Sequence, residues 1–111
     1  MTGAINVSVA GVPDPLPQEL AVIDVRQAHE WEAGHVEGAV HIPLHELMER
    51  LEEVPDARML VVCTVGARSG HAAAYLRSLG REAVNLDGGL LEWVAAGRPL
   101  VSETGAPPVV L

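Results

Sequence analysis

The sequence has no lysine, no phenylalanine and a single cysteine, Cys63. Each scarcity narrows the field. One cysteine forbids an internal disulfide, so stability has to come from packing, and a reducing compartment suits such a chain. The seven cations are all arginines, set against fifteen carboxylates for a formal net charge of −8. An acidic body opposes binding to a phosphate backbone, which needs a basic face, and it opposes long-range attraction of anionic substrates. Nucleic acid is therefore not an expected partner, and an anion site has to be built locally from oriented peptide groups. With Trp31, Tyr75 and Trp93 as the only aromatics, the core has to be aliphatic. No run approaches the roughly 18 apolar residues of a membrane span. Residues 1–9 lack the basic start and long apolar stretch of a secretion signal. The expectation is a soluble, cytoplasmic protein with no membrane partner.

What is present suffices for one domain. The chain has 111 residues, 49% of them apolar, and a chain this long buries roughly two-thirds of the surface its unfolded form exposes. We expect a single domain over 1–111, with a core at about 5–99 and a tail at 100–111 whose structure the pattern leaves open. Short apolar runs at 21–25, 59–63 and 83–86 read as buried strands, with further extended pieces at 5–9 and 38–42. Residues 11–17 carry three prolines and read as a loop. A brief helix is expected at 27–33, ended by Gly34. A clearer one opens at Pro43, with Leu44, Leu47, Met48 and Leu51 inward and Glu46 and Arg50 paired four apart. Another covers 69–79, with Ala72, Tyr75, Leu76 and Leu79 inward and Gly80 as its stop. Asp87 is the expected N-cap of a last helix, running through Leu90, Leu91, Trp93 and Val94 to Gly97. Strands alternating with helices predict an α/β domain with a mainly parallel sheet, and sites in such sheets lie at the carboxyl ends of strands. Asp24-Val25-Arg26 and Cys63 both fall there.

At Cys63-Thr64-Val65-Gly66-Ala67-Arg68-Ser69 a cysteine ends a buried strand, a short turn follows and a helix begins. Gly66 permits a backbone conformation or close approach that a side chain would forbid. If the turn folds back over Cys63, its N–H groups and the helix N-terminus point at the sulfur, favour thiolate over thiol and make it a nucleophile. Arg68 adds a positive charge for an anionic substrate group. A lone cysteine at a strand end is ordinarily a small buried hydrophobe; the glycine, the arginine and the helix start argue for chemistry.

At this point the sequence resembles the rhodanese homology domain. The similarity runs from about Ala21 to Pro99. It rests on Asp24-Val25-Arg26 with Glu30-Trp31, on Gly34-His35-Val36-Glu37-Gly38-Ala39, on Ile42-Pro43, on the Cys63–Ser69 loop, and on Leu86-Asp87-Gly88-Gly89 with Trp93, in that order and spacing. The resemblance implies a five-stranded parallel sheet with helices on both faces, a sulfurtransferase, a cysteine that accepts sulfane sulfur, and no metal or organic cofactor. Cys63 would attack the outer sulfur of thiosulfate or a persulfide donor, hold it as a persulfide among the loop N–H groups, and yield it to cyanide or an acceptor thiol. With no second cysteine in the chain, that acceptor has to be external, a small thiol or a protein sulfur acceptor. Two alternatives stand beside this reading: a regulatory or sulfur-relay module using Cys63 as sensor or carrier, and a cysteine phosphatase or arsenate reductase. Cysteine phosphatases of similar ancestry place one more residue between Cys and Arg than the four found here. Two-domain thiosulfate and mercaptopyruvate enzymes lack the arginine, which leaves the donor open.

Around the loop, the resemblance makes Asp24 a brace for nearby backbone groups and His35 a structural histidine. Arg26 and Glu30, four apart, are expected to form a structural ion pair. His41 and His45 have Pro43 between them and no third ligand at matching spacing, whereas zinc sites take three or four, so no metal site is expected. His71 falls in the first turns after the loop, where it either tunes Cys63 or faces solvent. Trp31 and Trp93 read as packing residues, and Gly88-Gly89 as a structural turn near the loop.

Overall fold

The computed structural model describes residues 5–111, so the first four positions of the expected domain lie outside the described residues. Five parallel strands form one sheet: β1 (Asn6–Val7), β2 (Ala21–Asp24), β3 (Val40–His41), β4 (Met59–Val62) and β5 (Ala83–Leu86), in the spatial order β1-β5-β4-β2-β3. The central strand β4 is apolar along its length because both of its faces are covered. Side chains alternate across β4: Met59, Val61 and Cys63 join one buried cluster with Ile23, Ile42, Leu47, Ala72 and Leu76, while Leu60 and Val62 join another with Val22, Leu86, Leu90 and Trp93.

Three α-helices cover these faces: α1 (Ala28–Ala33), α2 (Ala67–Ser78) and α3 (Gly89–Ala95). α1 begins with a reciprocal capping box, in which Gln27 and Glu30 satisfy each other's backbone N–H. α2 starts two residues earlier than expected, directly out of Gly66, and ends so that Leu79 is its exposed C-cap, 48% accessible, not an inward residue. The expected cap Asp87 is displaced too: Gly88 occupies the N-cap of α3 in a left-handed conformation.

The segment opened by Pro43 is a 3-10 helix, Leu44–Glu53, kinked at Arg50. At about three residues per turn, i and i+3 align, so Leu47 is buried while Met48, expected inward from a 3.6-residue period, is 72% exposed. Arg50 holds both Glu46 and Glu53. A further 3-10 turn, Val9–Gly11, follows β1. The tail is an ordered strap. Val101 forms an antiparallel bridge with His35, Glu103 N donates to Glu32 O and Val109 N donates to Ala33 O. Among the described residues no helix is long and apolar enough to cross a membrane.

Candidate active site

The carboxyl ends of β2, β4 and β5 lie side by side, with Asp24 in register with Val62 and Asn85 with Val61. Cys63 follows β4 at once, and the chain turns back over its sulfur. Gly66 makes that turn at φ +101°, where a Cβ would sit 3.2 Å from both Gly88 N and Leu86 O. The result is a ring of donors on the sulfur. Gly66 N–H reaches Sγ at 3.1 Å, Ser69 N–H at 3.4 Å and the Ser69 hydroxyl at 3.2 Å. Burial opposes ionisation of the thiol, but the Ser69 hydroxyl and the N–H groups of Ser69, Gly66 and Val65 overcome it, so Cys63 titrates below the ordinary value of 9.0. The residue is only 1% exposed, while Val65 and Ala67 on the outer side of the loop face solvent.

α3 fastens the loop from behind. Leu90 N–H donates to Cys63 O at 2.9 Å and Leu91 N–H to Thr64 O at 3.1 Å. This close approach requires glycine at position 89: φ is +64° and a Cβ would lie 2.3 Å from Thr64 O. Gly88-Gly89 is thus the turn that seats α3 on the loop.

Ser69 is held in turn by Asn85 on β5. Asn85 Nδ2 faces two acceptors, Gly66 O at 3.2 Å and Asn6 Oδ1 at 2.8 Å, so Oδ1 faces the Ser69 hydroxyl, 2.5 Å away. The hydroxyl has one hydrogen, which Sγ and Asn85 Oδ1 share.

Arg68 reaches across to α1. Its Nη1 and Nη2 form a two-point pair with Glu30 at 2.7 and 2.9 Å, and Thr64 Oγ1 lies 3.2 Å from both Arg68 Nη2 and Glu30 Oε2. Hydrogen bonding from Arg68, helped by Gln27 N–H and Thr64 and opposed by burial, brings the Glu30 carboxyl down from its ordinary 4.5 to about 2. The expected Arg26–Glu30 pair is therefore not formed. Arg26 turns back on Asp24 instead, with contacts of 2.8 to 3.2 Å, both side chains wholly buried. Asp24 Oδ1 also accepts the Arg26 N–H at 3.0 Å, Arg26 Nη2 donates to Gly34 O at 2.6 Å, and Nη1 is left without a partner among the described residues.

All seven loop residues and Asp24–Arg26 thus converge on one end of the sheet. His35 is buried, its Nδ1 on Trp31 O and its ring stacked on Trp31 at 3.5 Å. His41 binds Arg26 O through Nε2, and His71 lies exposed on α2. Among the described residues no group of three His, Cys, Asp or Glu side chains is placed to hold a metal. A shallow cleft of about 570 Å³ runs beside the loop at Val65, with Gly88, Asp87 and Glu92 on its wall. Another hollow, of about 400 Å³, lies at the other end of the strands among Leu20, Arg58 and Met59, and no residue of the Cys63 loop lines it. Local sequence reading missed Glu30 as a loop partner, because it is 38 positions from Arg68. It also missed Asn85, although a single amide in a buried strand signals a partner, since a buried polar group has to be satisfied.

A family model described as a rhodanese-like domain matches residues 9–96. A sulfurtransferase of Allochromatium vinosum is 36% identical over 79% of this chain and 84% of its own length. An HTH-type transcriptional regulator of Mycobacterium tuberculosis is 41% identical over 80% of this chain, which spans only 40% of that regulator. Among solved structures, a rhodanese-related protein from Thermoplasma volcanium superposes with a TM-score of 0.81 at 30% identity, covering 87% of this chain and 97% of that one.

Proposed function

This chain belongs to the rhodanese-like domain family, and from that premise we propose that it moves sulfane sulfur, with Cys63 as the residue that carries it. The observation that supports the reading best is the ring of donors on Sγ, supplied by Gly66 and Ser69. The Cys63 thiolate attacks the outer sulfur of thiosulfate or a persulfide. A new S–S bond forms, the donor's own sulfur bond breaks, and its electron pair leaves with sulfite or a thiolate. The terminal sulfur left on Cys63 is anionic, and the loop N–H groups stabilise it as they did the thiolate. An external thiol or cyanide then attacks that sulfur and regenerates Cys63. Asp24 braces the backbone and guanidinium of Arg26, and Arg26 ties the end of β2 to Gly34 O; neither makes a hydrogen bond to Cys63. The chemistry uses no metal or organic cofactor, and the setting is cytoplasmic.

The likeness to part of a transcriptional regulator favours a second reading, a sulfur-carrying or sensing module within a larger system. Intact mass spectrometry tests both. Incubation with thiosulfate or an alkyl persulfide should add one sulfur atom, which cyanide removes and Cys63→Ser abolishes. Stable loading without turnover to any acceptor would favour the module. No loading from any sulfane donor would sink both.

A further inference from the structure

We infer that Glu30 selects the sulfur donor: by holding Arg68 in a two-point ion pair, it turns the site away from the thiosulfate dianion and toward an organic persulfide, R–S–SH. This rests on the reading of Cys63 as sulfur carrier and goes beyond it by naming the donor class and the residue that sets it.

An arginine at the end of this loop looks like an anion receptor. In the folded protein its charge is already spent. Both terminal nitrogens of Arg68 engage the two oxygens of Glu30 at 2.7 and 2.9 Å. Thiosulfate could use this guanidinium only by displacing Glu30, and Glu30 is anchored from other directions. Its Oε1 accepts the Gln27 N–H at 2.9 Å, Thr64 Oγ1 donates to its Oε2 at 3.2 Å, and the residue forms one half of the α1 capping box. Its carboxyl side chain is only 11% exposed. It stays ionised down to about pH 2, so no working pH releases Arg68.

The surroundings reinforce the selection. Arg26, the other cation at this end of β2, is wholly buried and ion-paired with Asp24. The cleft beside Val65 has Asp87 and Glu92 on its wall, and the chain carries a net −8. A dianion therefore meets a neutralised pair among carboxylates. Attack of a thiolate on thiosulfate gathers three negative charges in a small volume, which a free guanidinium would offset and this pair does not. An alkyl persulfide brings at most one. Its reaction is Cys63–S⁻ + R–S–SH → Cys63–S–S⁻ + R–SH: the new S–S bond forms at the sulfane sulfur, the old one breaks, its electron pair leaves on the donor sulfur, and the proton passes to that leaving thiolate.

The test compares kcat/KM for thiosulfate and for the persulfide of 2-mercaptoethanol, with cyanide as acceptor. In the unaltered protein the persulfide should be preferred by about tenfold or more, the low end of what a charge-assisted hydrogen bond contributes. Glu30→Gln keeps an oxygen for the cap but frees the Arg68 charge. It should raise thiosulfate use about tenfold relative to persulfide, mainly through KM, and Glu30→Gln/Arg68→Met should lose that gain. Salt supplies a readout that needs no variant. Screening of a free guanidinium would weaken thiosulfate use, whereas between about 0.02 and 0.3 M ionic strength thiosulfate turnover should hold steady or rise. Equal use of both donors, an unchanged donor ratio in Glu30→Gln, or a fall with salt would overturn the selection by Glu30 while leaving sulfur loading on Cys63 intact. Failure of every donor to load Cys63 would remove the underlying reading itself.

Discussion

Cys63 Sγ receives N–H groups from Gly66 and Ser69 and shares the one hydroxyl hydrogen of Ser69 with Asn85 Oδ1. Ionisation of the thiol thus depends on a hydrogen with two claimants. Deleting the hydroxyl removes a stabiliser of the anion alone, and an acid whose ionised form loses a partner titrates higher. In Ser69→Ala the midpoint of the pH–rate profile for sulfur loading should move to higher pH, and loading below that midpoint should slow. A profile that stays in place would mean that the backbone N–H groups alone set the thiolate. The Asp24–Arg26 pair works differently. Both charges are wholly buried, so the pair is weak evidence for net stability, although removing either partner alone would strand the other and cost about 3–5 kcal/mol.

At the scale of elements, the loop is clamped between β4, which ends just before Cys63, and the helix that begins at Gly89. A methyl group at position 89 would meet Thr64 O at 2.3 Å and has to adopt φ +64°. Gly89→Ala should lower stability by about 1–3 kcal/mol in urea unfolding and reduce sulfur loading far more than that loss explains, because α3 and the loop have to separate. Full loading in a folded variant would show that their contact is dispensable. The elements also show what a sequence can reveal. β2, β4 and β5 are legible to within a residue because strands covered on both faces are mostly apolar, β4 throughout and the others but for Asp24 and Asn85. The Cys63 turn is legible because glycine, arginine and a helix start follow in a few positions. The segment after Pro43 is not, since an apolar spacing of three or four suits both a 3-10 and an α-helix, and only packing decides that Met48 faces out. The partner of Glu30 is invisible for a different reason. Helical spacing points to Arg26, while the bond that forms crosses 38 positions to Arg68, and chain proximity carries no trace of it.

For the whole molecule, the Glu30–Arg68 pair joins α1 to α2 and so couples tertiary stability to pH. A carboxyl depressed from 4.5 to about 2 stabilises the folded state fully above its unfolded value, and that contribution is lost as pH falls from about 4.5 through about 2. Thermal unfolding should therefore show a drop in Tm across that acid window that is shallower in Glu30→Gln. Equal slopes would assign the acid sensitivity to other carboxylates. The way α3 is seated has a wider consequence. The first free amides of that helix are spent on the carbonyls of Cys63 and Thr64, so the turn over the sulfur is not a lone surface flap. The loop and the helix therefore share one fate: whatever shifts α3, with Trp93 buried behind it, shifts the backbone on either side of the sulfur as well.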